Sequence, residues 1–153
     1  MDPGSIQDVL NRILLLEKSQ VVLYSTMAAK APTEELAYGL QRLAKIENDH
    51  VMAIQHQLQN LVPNQENKIH QLKSSIADAG LKGFGSIIST AQEVTSLASL
   101  LKAGAYAEEK AMADYRQFLA HIRDVELRDM FWEHLIDEEL HYLWLKEKAA
   151  LLN

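Results

Sequence analysis

The chain has 153 residues, 48% of them apolar and 24% charged, the balance of one globular domain long enough to bury a core. Its net charge of −6 gives no footing for nucleic acid. The lack of cysteine excludes disulfides, Cys-ligated zinc, iron–sulfur clusters and rubredoxin-type iron from this sequence. The absence of cysteine also fits a cytoplasmic protein, and no signal peptide or apolar run of about 18 residues suggests export or a membrane. The reading is a single domain over residues 1–153, with Met1 to Ser5 set aside as an expression-vector remnant.

Three prolines and six glycines, with long stretches of 3.6-residue apolar periodicity, predict an all-α chain. A first helix is expected from Ser5 to Ala29, with Ile6, Leu10, Ile13, Glu17, Gln20, Tyr24 and Met27 stepping along one face. Thr33 reads as the cap of a second helix that begins with the acids Glu34 and Glu35 and stops before Pro63. Its inward face is Leu36, Leu40, Leu43, Glu47, His50, Ile54 and Leu61. The short link makes these two helices antiparallel neighbours.

Residues 62–92 are polar at first and then glycine-rich, with Ile69, Leu72 and Ile76 spaced for one short amphipathic helix. A stretch this long reads as a crossover that lets the third helix run parallel to the second. That third helix is expected from Glu93 to Ile122, with Val94, Leu97, Leu101, Gly104, Glu108, Ala111, Tyr115, Phe118 and Ile122 inward. Asp124 caps a fourth, running to Leu151, whose inward face is Leu127, Phe131, His134, Glu138, His141 and Leu145. The fold class is therefore an antiparallel four-helix bundle with a long crossover between helices 2 and 3.

Four glutamates and two histidines interrupt these apolar faces. Glu17 precedes Glu47 by 30 residues, and Glu108 precedes Glu138 by 30; each later glutamate has a histidine three residues on, His50 and His141. The halves superpose at an offset of 91, which also places Tyr24 on Tyr115. Residues i and i+3 share a helix face, so each Glu-x-x-His points two ligands at one place. Each glutamate lies about 15 residues, or roughly 22 Å, from the turn of its helix pair, so all six groups fall at one depth. Buried carboxylates repel unless protonated or neutralised by cations. Glu17, Glu47, His50, Glu108, Glu138 and His141 are accordingly the expected ligands of two metal ions, the donor set of di-iron and di-manganese carboxylate centres.

Around them, Tyr24 and Tyr115 are expected near the ligands as hydrogen-bonding phenols, candidates for a catalytic part. Asp137 is placed to orient an imidazole, and Ile46 in the matching place makes that support one-sided. His134 reads as a packed or hydrogen-bonded histidine rather than a seventh ligand. His56, His70 and His121 read as surface residues, and Met27, Met52, Met112 and Met130 as core filler. Gly104 and Ala111, one turn on either side of Glu108, either leave room for metal and an exogenous ligand or permit close helix packing.

In Glu17, Glu47/His50, Glu108 and Glu138/His141 the sequence resembles the ferritin-like di-iron carboxylate superfamily, most closely its rubrerythrin-like branch. Asp137-Glu138-x-x-His141 also resembles the longer motif of carboxylate-bridged oxygenases. The resemblance implies a pair of iron ions, with manganese the alternative, reacting with H2O2 or O2 as a peroxidase or ferroxidase. It departs from rubrerythrins in two respects. Ala105 stands where they carry an additional glutamate, and the sequence has none of the cysteines of their rubredoxin domain. A peroxidase built on this chain therefore needs a separate electron-donor protein. Iron storage, manganese-dependent peroxide disproportionation and a homodimeric assembly are the other expectations kept open.

Overall fold

The computed structural model describes residues 3–61 and 96–152. Four helices account for nearly all of them: α1 (Pro3–Lys30), α2 (Glu34–Leu61), α3 (Leu97–Leu119) and α4 (Val125–Leu151). The chain folds as an all-α four-helix bundle. No helix among the described residues is long and apolar enough to cross a membrane. The crossover expected over residues 62–92, with its short helix, and His70 lie outside the described residues.

Local chemistry accounts for the helix starts. The Thr33 hydroxyl accepts from Leu36 N–H at 3.3 Å, and the acids Glu34 and Glu35 follow in the first turn of α2. The Asp124 carboxylate accepts from Leu127 N–H at 2.9 Å to open α4. Ser96 does the same for α3. Its own backbone is extended, so α3 begins at Leu97 rather than at the expected Glu93. The helix also ends at Leu119, three residues before Ile122, although Ile122 is still buried.

Directions follow from contacts between helices. Arg12 of α1 lies over the Phe118 ring of α3, and Gly104 of α3 lies against Met27 of α1, so these two helices run antiparallel. On the other side Glu35 meets Lys148, and Gly39 lies under the indole of Trp144, so α2 and α4 are antiparallel too. With α1 and α2 antiparallel through their short link, α2 and α3 run parallel, as a long crossover requires.

Two apolar clusters fill the bundle. One, at the α1–α2 turn, holds Leu23, Met27, Leu36, Leu40, Leu101 and Leu145. The other, at the α3–α4 turn, holds Leu10, Ile13, Ile54, Phe118, Leu127 and Phe131. Each such side chain contributes roughly 1.5–3 kcal/mol on burial, and together they offset the cost of the polar layer between them. Val94 lies outside the described residues; the rest of the expected inward faces are buried with few exceptions. Leu61, at the last turn of α2, is 36% exposed, and Ile6 and Leu97 are half-buried. Met52 is not core filler: at 61% exposure it lies on the outer face of α2, while Met27 and Met112 are buried and Met130 partly so. His56 and His121 are exposed, as expected.

Candidate metal centre

Glu17, Glu47, Glu108 and Glu138 are each 0% exposed, and His50 and His141 nearly so. One helix contributes Glu17, another Glu47 and His50, the third Glu108 and the fourth Glu138 and His141. The six meet between the two apolar clusters. They form two overlapping groups whose potential ligand atoms lie within 4.8 Å of one another: Glu17, Glu47, His50 and Glu138, and then Glu47, Glu108, Glu138 and His141. Glu47 and Glu138 belong to both groups. Each half thus has one carboxylate of its own, one imidazole of its own and two shared carboxylates.

Both imidazoles present Nδ1 to the cluster. His50 Nδ1 lies 3.3 Å from Glu17, 3.3 Å from Glu47 and 3.2 Å from Glu138. His141 Nδ1 lies 2.9 Å from Glu47, 3.6 Å from Glu108 and 3.7 Å from Glu138. Yet among the described residues no well-directed hydrogen bond reaches either oxygen of Glu47 or of Glu138. Four buried carboxylate oxygens without donors are costly in a protein interior. Divalent cations would supply the missing partners, so the donor set fits a metal pair.

The terminal carboxylates are held from across the bundle. Tyr24 donates its hydroxyl to Glu108, and Tyr115 donates to Glu17. Each phenol reaches the other hairpin rather than the glutamate on its own helix. Gln20 also donates to Glu108, at 2.8 Å, a role not read from its place on the face of α1. The one available signal was a buried amide one turn from Glu17. His134 stacks on His50, with ring centres 3.8 Å apart, and its Nδ1 lies 3.0 Å from the Tyr115 hydroxyl. It also falls in a group with Glu17 and His50. Asp137 lies 3.1 Å from His50 Nε2, so it supports the histidine of α2 and not His141 of its own helix.

Gly104 is a packing residue. A Cβ there would stand 3.3 Å from the Tyr24 ring and 3.4 Å from both Leu145 and Met27, so the position offers no room for an exogenous ligand. Ala111 is fully buried in the apolar cluster beside Tyr115, and Ala105 in the opposite one.

Burial and crowding shift the ionisations strongly. Burial, with repulsion from Glu108 and Glu17, pushes Glu47 up to about 8. Burial and the neighbouring Glu138 raise Glu108 well above the usual carboxylate range. Burial would raise Glu17 too, but hydrogen bonds with His50 lead those that hold it below its ordinary value. Against the opposing effect of burial, Asp137 and the glutamates drive His50 far up, and Glu108, Glu138 and Glu47 raise His141 to about 12. Without metal, the imidazolium protons thus act as the counter-charge. Burial and the charge on His50 press His134 down to about 3, so it is neutral. Burial and adjacent carboxylates raise Tyr24 and Tyr115, which remain protonated donors.

No curated protein and no solved structure matches the chain. A family model does, the one described as Rubrerythrin, over residues 8–149. That span covers all four helices and every residue of the buried Glu/His cluster, and on it the chain belongs to the rubrerythrin family.

Proposed function

We propose that this protein holds two iron ions between Glu17, Glu47, His50, Glu108, Glu138 and His141 and uses them to reduce peroxide or dioxygen. The observation that carries this reading is the double membership of Glu47 and Glu138, each with both oxygens free of hydrogen bonds. Carboxylates common to both groups would be shared by two cations. When bound, iron supplies the electrons, and a separate donor protein returns them.

The chain's own residues hold the centre and keep water from it. Glu17 and His50 would serve one ion, Glu108 and His141 the other. Tyr115 and Tyr24 fix the terminal carboxylates by hydrogen bonds, and their raised ionisation keeps the donor protons in place at neutral pH. The apolar clusters on both sides limit access of bulk water.

Anaerobic loading with Fe(II), followed by metal analysis and exposure to H2O2 and separately to O2, tests the proposal. The expected result is two irons per chain, oxidised faster than free Fe(II), with the faster oxidant identifying peroxidase or ferroxidase chemistry. Two bound irons oxidised no faster than free iron would leave a metal site without the redox activity. Manganese bound in preference to iron would move the reaction to peroxide disproportionation.

A further inference from the structure

We infer that the two halves of the centre are unequal metal sites: the Glu17/His50 half, supported by Asp137, takes the first divalent cation, and the Glu108/His141 half takes the second more weakly. The inference rests on the dinuclear reading above and concerns which half fills first.

The two helix pairs match at an offset of 91 residues, yet the groups around the ligands do not. Asp137 is matched by Ile46. In consequence His50 Nε2 has a carboxylate 3.1 Å away, while the buried Nε2 of His141 has no hydrogen-bond partner among the described residues. A carboxylate that accepts the outer N–H of a metal-binding imidazole fixes its tautomer and makes Nδ1 a stronger donor. Asp137 is suited to this: it reaches His50 from the neighbouring helix and is only partly buried.

The terminal carboxylates differ in the same sense. Glu108 has a hydrogen bond on each oxygen, from Tyr24 and from Gln20. Glu17 accepts from Tyr115 on one oxygen and meets His50 Nδ1 at 3.3 Å on the other, but that nitrogen would itself hold the cation, which leaves Tyr115 as the donor that stays on Glu17. The residue matching Gln20 is Ala111, which has no donor to offer. Every hydrogen bond on a carboxylate withdraws charge from a cation competing for the same oxygen. Glu17 is therefore the stronger terminal ligand. His134, matched by Leu43, adds to the asymmetry by stacking on His50 alone.

Anaerobic titration of the full chain with Co(II), followed by calorimetry and by the visible ligand-field bands, reads the two sites without any turnover. Two separate binding events are expected. His141→Ala should remove the weaker and His50→Ala the tighter. Asp137→Asn should weaken the tighter event about 10–100-fold and shift its bands, leaving the weaker event in place. Asp137→Glu should restore most of the difference. A merely structural role for Asp137 would move neither the bands nor one event alone. Two equal events, or loss of the tighter one in His141→Ala, would overturn the inequivalence while leaving the metal pair intact. A chain that binds no Co(II), Mn(II) or Fe(II) would overturn the dinuclear reading and this inference with it.

Discussion

Tyr24 on α1 donates its hydroxyl to Glu108 on α3, and not to Glu17 two turns earlier on its own helix. Tyr115 returns the bond in the opposite sense, from α3 to Glu17. The two hairpins are thus tied together through the carboxylates of the buried Glu/His cluster. The ties are unequal, because Glu108 keeps Gln20 at 2.8 Å when Tyr24 is removed, and Glu17 keeps only the longer contact of His50 Nδ1, at 3.3 Å, when Tyr115 is removed. Tyr115→Phe also leaves His134 Nδ1 without its partner. In the metal-loaded protein Tyr115→Phe is expected to cost about 1.5–3 kcal/mol and Tyr24→Phe about 0.5–1.5 kcal/mol. Urea unfolding of the two variants checks the order, and a larger loss for Tyr24→Phe would contradict it.

Glu47 sets function against stability. Its burial raises its ionisation to about 8, so without metal it resists the charge that binding a cation requires. Glu47→Gln removes that conflict. The metal-free variant should melt a few degrees higher than the parent at pH 8, given about 2–4 °C per kcal/mol for a chain of this size. It should also lose most of the Tm increase that metal gives the parent. Differential scanning calorimetry with and without Mn(II) reads both effects.

The pH dependence of the metal-free protein follows from the same shifts. Glu47, His50 and His141 have folded values raised above their unfolded ones, so the folded state holds more protons. Their contribution is present at low pH. It is lost from pH 4.5 to about 8 for Glu47 and from 6.5 to about 12 for His141. Glu17 and Asp137 are lowered, so their contribution is lost as pH falls through the acid range. Metal-free stability should therefore decline between pH 5 and pH 9. Metal affinity should rise over the same interval, because binding displaces the imidazolium protons. A Tm that climbs from pH 5 to pH 9 in the presence of a chelator would contradict these shifts.

Gly39 gives a test of packing away from the metal. A Cβ there would clash with the six-membered ring of the Trp144 indole, so Gly39→Ala forces the indole out of its place between α2 and α4. The expected cost is about 1–3 kcal/mol, more than the roughly 1 kcal/mol that alanine gains in a helix. In a Trp144→Ala background the clash is gone, and Gly39→Ala should then stabilise. A double-mutant cycle by thermal melting gives the sign in each background.

Much of the fold is local and was readable in the chain itself. The 3.6-residue period marks which side of each helix is buried, and Thr33 and Asp124 show where two of them begin. Matched distances from the two turns place Glu17, Glu47/His50, Glu108 and Glu138/His141 at one depth, because helical rise is constant. Periodicity failed at Met52 because an apolar residue is not required to be buried. It placed the start of α3 too early because apolar periodicity does not mark the extended backbone at Ser96.

The sequence by itself determined that four buried carboxylates and two imidazoles would share one layer of a helical bundle. Only the tertiary structure decided their partners: Tyr24 and Gln20 on Glu108, Tyr115 on Glu17, Asp137 on His50, and Glu47 and Glu138 common to both halves. The reason is physical. A residue's angle around its own helix follows from its number, but the atom it meets depends on how neighbouring helices cross and on which side chain fills the gap. At Gly104 that gap is filled by Tyr24, Leu145 and Met27, and space that the sequence left open is closed by packing.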